Sequence, residues 1–345
     1  KACFKEMTVP EAVSITSAFQ ETMLAAKPAG EMESCSVLQT DDAFWKVFEF
    51  DFVSGKPYDN ADFDAGAAKA VISEDMARRL FGTSEVVGKT FLLNHTAYLI
   101  SGVVRSVSRL ARYAYAQVWI PLSSTDAFTT AWGDEKIMGI VAVFILAKSK
   151  EDFPAIHNEA DRLKAVFMAG HPNFDLLYRG QPDTYFVAAQ RYSANNPPAV
   201  KEAVRQYILT LLVLLIVPAV NLSGLTLSRM RKRLSEIGVR KAFGAPRREL
   251  MIQVLSENML YSLFGGILGL ILSYIATFLL GGMLFSVDFM SNGVEDLQTM
   301  CVDLLFDPTV FLLAFLACFL LNLLSAAIPA WRITRTNVAD AINER

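Results

Sequence analysis

Three histidines and four cysteines are all that this 345-residue chain offers as soft metal ligands. His95, His157 and His171 show no i, i+4 spacing, and Cys3, Cys35, Cys301 and Cys318 form no C-x-x-C pair. Structural and catalytic zinc sites need clustered ligands, so no metal centre is expected. Cys3 and Cys35 are able to pair in an oxidising compartment, and the sequence leaves that open. Basic residues are not in excess either. The 32 Lys and Arg stand against 35 Asp and Glu, a net charge of −3, which gives no footprint for nucleic acid. No Ser-His-Asp or Cys-His pattern can be argued from spacing, so no catalytic residue is expected. The first residues also lack the basic and apolar regions of a secretory signal.

Apolar residues are what the chain has in plenty. They make up 53% of it, with charged residues at 19%, and the mean hydropathy is +0.33. The excess is uneven. Residues 1–205 mix charged and apolar positions as a water-soluble domain does, whereas long apolar runs follow Tyr207. Residues 206–227 are long enough to cross a hydrocarbon core of about 30 Å at 1.5 Å per residue. Pro218 is expected to kink that span, and Asn221 and Ser223 to face another helix. A second span is expected within residues 255–285, where Gly265, Gly269 and Ser273 recur every four residues. Such a small-residue face lets another helix approach closely. A third lies within residues 308–331, with Pro308 suited to a helix start and Trp331 to an interfacial anchor.

Charge orients these spans. The loop after the first carries Arg229, Arg231, Lys232, Arg233, Arg240, Lys241, Arg247 and Arg248. The loop between the second and third, residues 286–307, has no Lys or Arg but has Asp288, Glu295, Asp296, Asp303 and Asp307. By the positive-inside rule the basic loop and the C-terminus are cytoplasmic, and the acidic loop and residues 1–205 are outside. A domain carried outside without a signal sequence implies a transmembrane helix ahead of Lys1. The expected fold is therefore an α+β extracytoplasmic domain, residues 1–205, joined to an all-α transmembrane helix domain, residues 206–345. Three helices lie here, a fourth is expected before residue 1, and a cytoplasmic loop covers 228–254.

Within the outer domain, residues 70–73 read as a strand. Ser73 then caps a helix to Leu80, with Glu74 and Asp75 in its first turn, Arg78 and Arg79 near its end, and Gly82 as terminator. Residues 89–93 and 97–107 read as a hairpin across Asn94 and His95. Residues 117–122 and 139–148 read as strands, and residues 152–169 as a helix with Pro154 in its first turn. Asp41 and Asp42, followed by Phe44, Trp45, Phe48, Phe50 and Phe52, suit a capped helix and an aromatic-burying strand better than a carboxylate-pair site. Residues 82–90, G-T-S-E-V-V-G-K-T, resemble a phosphate loop only superficially. Five residues separate the glycines where four are needed, and a strand follows where a helix N-terminus should hold phosphate. They are read as a helix-terminating loop, and residues 193–198, S-A-N-N-P-P, as a linker into the first span.

Three segments carry a family resemblance. Within residues 229–250 the order E-I-G-V-R-K-A-F-G-A resembles the signature of FtsX-like permeases, placed directly after a span as in that family. Residues 70–104 look like the MacB-like periplasmic core domain. The tail I-P-A-W-R-I-T-R-T-N-V-A-D-A-I is similar to the ending of these permeases, with Val338 where the family often has proline. The basic loop taken alone is equally a plain topology signal; the residue order is what marks it as a coupling segment.

The resemblance implies a non-catalytic permease subunit of an ABC transporter in the bacterial inner membrane, active in export or extrusion from the periplasm. It implies a separate cytoplasmic ATPase that holds ATP and Mg²⁺, so no cofactor is expected in this chain. A second permease copy or a homologue, membrane lipid, and a periplasmic adaptor with an outer-membrane channel are the further partners. Glu236, Ile237, Gly238, Val239, Arg240, Lys241 and Gly244 would couple to the ATPase, and Gly265, Gly269 and Ser273 would pack helices. The alternative is an FtsX-like scaffold that controls a periplasmic cell-wall hydrolase.

Overall fold

The computed structural model describes residues 4–28, 30–107, 111–126, 139, 141–173, 175–232, 236, 239, 240, 242–285 and 308–335. Contacts divide these into two units, one whose main run ends at Thr184 and one that starts at Tyr185.

The first unit is α+β. In chain order it holds β1 (Ala12–Ser17), β2 (Glu21–Ala26), β3 (Met32–Thr40), α1 (Phe44–Val47), β4 (Phe52–Gly55), α2 (Asn60–Asp64) and β5 (Lys69–Ser73). It continues with α3 (Glu74–Phe81), β6 (Thr90–Leu93), β7 (Thr96–Val104), β8 (Val118–Pro121), β9 (Val141–Leu146) and α4 (Phe153–Ala169). Among the described residues the pairings close a ring, β3–β2–β6–β7–β5–β8 and back to β3. β1 and β9 extend outward from β3, and β4 attaches to β7. The long β3 serves both sides of the closure. Its first part pairs antiparallel with β2 and its last part parallel with β8.

Period-two alternation sorts the side chains onto two buried faces. Ala70 and Ile72 of β5, Val118 and Ile120 of β8, and Cys35 and Val37 of β3 point to one core, shared with Phe91, Tyr98 and Ile100. Val71, Trp119 and Leu38, the intervening positions, point to the other, where Phe44, Tyr58 and the partly buried Trp45, Phe48, Phe50 and Phe52 gather. Strands buried on both faces read as continuous apolar runs, which is why A-V-I and V-W-I stand out in the sequence.

Helix α3 closes the first core with Met76, Ala77 and Leu80. It forms as its sequence dictates. Ser73 Oγ accepts from the Met76 amide at 3.2 Å, and Gly82 ends the helix at φ +75°. The hairpin turns through Asn94 and His95, both at positive φ, as a two-residue hairpin loop demands. Lys89 leads straight into β6, which agrees with reading residues 82–90 as a loop. Cys35 is fully buried, and Cys3 lies outside the described residues.

Two buried carboxylates tie the start of the chain to this unit. Asp41 is fully buried. Its Oδ1 accepts from Ser14 Oγ at 2.8 Å and from the Phe44 amide at 3.1 Å, and its Oδ2 accepts from the Ile15 amide at 3.0 Å and pairs with Lys5 Nζ at 2.5 Å. Asp41 therefore holds the first amide of α1, although the N-cap position itself is Ala43 and carries no side-chain cap, and it also fixes β1 and Lys5. On α4, Ile156, Ala160 and Leu163 pack at helical spacing around Met7, Val13 and Tyr178. Beside them, Glu159 accepts from the Thr8 amide at 3.0 Å, the Thr8 hydroxyl at 2.9 Å and the Val9 amide at 3.0 Å.

The second unit is helical: α5 (Tyr185–Ala188), α6 (Val200–Lys232), α7 (Arg247–Phe285) and α8 (Pro308–Arg335). Two stretches, Val200–Asn221 and Met251–Ala276, are long and apolar enough to cross a membrane, and α8 contains a shorter apolar stretch, Phe311–Leu324. Helix α6 begins ahead of residue 206, directly after the prolines of the linker, and stays a single helix through position 218. Pro308 is the first described residue of α8. The acidic segment 286–307 lies outside the described residues.

Burial pushes the Glu159 carboxyl up, but the Thr8 and Val9 amides, the Thr8 hydroxyl and Arg162 outweigh it, so its pKa lies below the usual glutamate value. A depressed carboxylate stabilises the fold above its unfolded pKa, near 4.3, and that contribution disappears as pH falls through the folded value. Glu159→Gln should thus lower stability at pH 7 by about 2 kcal/mol. The gap to the parent chain should narrow as pH drops below about 4, measured by urea unfolding followed through tryptophan fluorescence.

Candidate functional site

The basic segment between α6 and α7 ends in a built turn. Glu236, Val239, Arg240 and Ala242 are helical. The Phe243 amide donates to Val239 O at 3.1 Å and the Ala245 amide to Arg240 O at 3.0 Å. Between them Gly244 sits at φ +91°, the left-handed position that closes a helix C-terminus and that side chains with a Cβ resist. Pro246 follows, and α7 starts one residue later, with the Glu249 amide bonded to Pro246 O at 3.0 Å. Gly244 thus has the helix-ending role its sequence position suggests.

Arg240 joins the segment to α7. Its Nη2 pairs with Glu236 Oε1 at 2.6 Å, one turn back, and its Nη1 donates to Gln253 Oε1 at 2.8 Å on α7. The guanidinium fork suits this bridging because its donors point in fixed directions. Two apolar side chains remain open to the surroundings: Val239 at 48% and Phe243 at 89% exposure. An apolar knob beside an arginine on a capped helix end is a shape that a groove in another protein can grip. Ile237, Gly238 and Lys241 lie outside the described residues.

Small residues shape the helix contacts. Gly265, Gly269 and Ser273 of α7 are exposed, and a Cβ added at Gly265 or Gly269 would meet nothing within 4 Å. The contact with α8 uses the neighbouring row. Gly266 faces Phe315 so closely that an added Cβ would overlap the ring. Four residues earlier, Ser262 Oγ accepts from Asn322 Nδ2. Helix α8 also packs along α6. The sequence carries a signal for this row, S-x-x-x-G at 262–266 with an asparagine midway through an apolar helix. Within one chain the 265–269–273 face is left uncovered by the described residues.

The MacB-like periplasmic core domain model matches residues 4–163, and the FtsX-like permease C-terminal model matches residues 208–338. The chain belongs to the FtsX/MacB-like family of ABC transporter permeases. The macrolide export ATP-binding/permease protein MacB of Pasteurella multocida (strain Pm70) is 24% identical over 313 residues, covering 90% of this chain and 43% of its own length. The uncharacterized ABC transporter permease YknZ of Bacillus subtilis (strain 168) is 24% identical over 261 residues, covering 75% of this chain and 61% of its own. The pyoverdine export ATP-binding/permease protein PvdT of Pseudomonas entomophila (strain L48) is 25% identical over 248 residues, covering 71% and 35% respectively. This permease chain therefore spans from about a third to three fifths of the length of these relatives.

The two glycine rows predict different outcomes in the permease. Gly266→Leu should drive α7 from α8 and lower the thermal midpoint of the chain in detergent by several degrees, whereas Gly265→Leu should leave the isolated chain within about 1 kcal/mol of the parent. Gly244→Val should speed amide exchange at Ala245, since a β-branched residue at that φ costs about 1–2 kcal/mol or more.

Proposed function

We propose that this chain is the permease subunit of an ABC transporter that transmits ATPase-driven motion across the inner membrane to a periplasmic domain, for export or extrusion of a substrate. The observation that carries the proposal is the bridge from Arg240 to both Glu236 and Gln253. A force applied to the loop has a bonded path into α7. The exposed Phe243 and Val239 provide the surface a cytoplasmic ATPase would grip, with Ile237, Gly238 and Lys241 completing the segment. In this scheme ATP and Mg²⁺ are held by the ATPase and this chain contributes no reacting group.

The same proposal orients the molecule. Helices α6, α7 and α8 each cross the inner membrane, the basic loop lies inside, and the MacB-like domain lies in the periplasm. The first unit is then placed to meet an adaptor and an outer-membrane channel, as befits an exporter. The uncovered face of Gly265, Gly269 and Ser273 pairs with a second permease copy, since close helix approach in lipid relies on small residues.

The test is reconstitution of the full chain with its cognate ATPase in nanodiscs. Glu236→Lys replaces the Arg240 partner by a second cation, and Phe243→Ala removes the apolar knob. Either change should reduce the permease-dependent part of ATP turnover at least tenfold, leave the turnover of the isolated ATPase untouched, and abolish ATP-dependent movement of spin labels on the first unit. Parent-like turnover and movement in both variants would return the loop to a plain topology signal.

A further inference from the structure

The residues just before α6 are folded rather than strung out. After α5, the Ala189, Gln190 and Arg191 amides continue the turn by bonding to Tyr185, Val187 and Ala188 carbonyls. Ser193 Oγ donates to Asn196 Oδ1 at 2.6 Å, and Arg191 donates to Asn196 O. Gln190 then closes the segment onto the helix. Its carbonyl accepts from the Ala199 amide at 3.1 Å, and its Oε1 accepts from the Tyr207 hydroxyl at 3.2 Å. Residues 185–199 are thereby held against the first two turns of α6.

That closure fixes their depth. The apolar run of α6, with Thr210 its one polar position before Asn221, begins at Ile208, so Tyr207 marks the edge of the hydrocarbon. A helical tyrosine points back toward its helix N-terminus, which places the Tyr207 hydroxyl, and Gln190 bonded to it, among lipid headgroups. The headgroup layer is about 5–8 Å deep on each side. The side chains that the segment turns outward suit this layer. Tyr185 is 69%, Phe186 50% and Tyr192 96% exposed, and aromatic rings with one polar edge favour the interface. Arg205 is exposed on α6 within this layer, and Lys201, one turn further out, is exposed at its outer edge, with Val204 and Ile208 beside them. An ammonium and a guanidinium above an apolar strip match a lipid phosphate above its acyl chains.

We infer that residues 185–207 form an interfacial anchor that binds the phospholipid surface. Tyr185, Phe186 and Tyr192 sit among the headgroups, and Lys201 and Arg205 hold the phosphates of anionic lipid. The anchor fixes the height and rotation of α6 where it leaves the bilayer. It rests on α6 crossing the membrane, and on no other part of the proposed function.

The experiment places the photo-crosslinker p-benzoylphenylalanine at one position at a time in the full chain, reconstituted in vesicles of phosphatidylcholine with or without phosphatidylglycerol. Lipid adducts are then read by mass spectrometry. Leu212, within the apolar run, should give lipid adducts, and Phe19, in the first unit, should give none. Phe186 and Tyr192 should give adducts with yields of the same order as Leu212. Phosphatidylglycerol should be over-represented in them, and Lys201→Gln with Arg205→Gln should reduce that preference by roughly fivefold per charge removed. Adducts at Leu212 with none at Phe186 or Tyr192 would overturn the anchor and leave the span intact. No adduct at Leu212 would overturn the span and the anchor together. Adducts at Phe186 that show no headgroup preference would remove the phosphate contacts assigned to Lys201 and Arg205.

Discussion

Leu209, Val213, Ile216 and Val220 of α6 are each more than half exposed, and so are Leu268, Ile271, Leu272 and Leu279 of α7. With Ile208, Leu211, Leu214 and Val217 also more than half exposed, the apolar surface of α6 runs round its whole circumference, while that of α7 forms one broad face. Left in water, such a surface would cost roughly 25 cal/mol for each Å² exposed, so these helices require an apolar solvent. That solvent in turn restricts everything they do. A backbone amide in hydrocarbon has no water to bond, so the chain must run as long unbroken helix, and α6 and α7 reach 33 and 39 residues. Polar side chains are tolerated there when they find each other, as Asn322 and Ser262 do. Close approach is allowed where a side chain is missing, as at Gly266.

The elements that were legible in the sequence are those whose local signals agree. Ser73, the acidic first turn, the arginines and Gly82 all specify α3, and the Asn94-His95 hairpin is equally local. The strands β1 to β3 were not legible individually. Their buried positions include Ser14, Thr16, Ser17, Ser36, Gln39 and Thr40, so hydropathy gives no alternation to detect. Those groups are tolerable inside because distant partners satisfy them: Asp41 for Ser14, and Gln117 for the amide of Ser36. Such pairings depend on the tertiary fold. The same limit applied to the basic segment between α6 and α7. Its residue order named the family, but the Arg240 to Gln253 bond spans two helices and appears only once they are placed.

Arginine 240 shows how a loop can be both a turn and a joint. Had the segment been merely basic, its charges would spread into solvent and hold no defined geometry. Here Gly244 ends one helix, Pro246 precedes the next, and one guanidinium spans the corner between Glu236 and Gln253. The corner keeps its angle while Phe243 stays open to contact. Family membership and this geometry are the two supports of the coupling role proposed for the segment.

The pairing of β1 with β9 has a consequence for biogenesis. Ala12 lies opposite Leu146, and the ring closes where Val37 meets Val118. Contacts so distant in sequence give a high contact order, and loop closure must precede the energy they return. The local hairpins β2–β3 and β6–β7 can form as soon as they are synthesised. The first unit as a whole cannot complete its sheet until residue 146 has followed. During that interval the strand edges of β1 and β3 are open to the wrong partners, the state in which aggregation competes with folding.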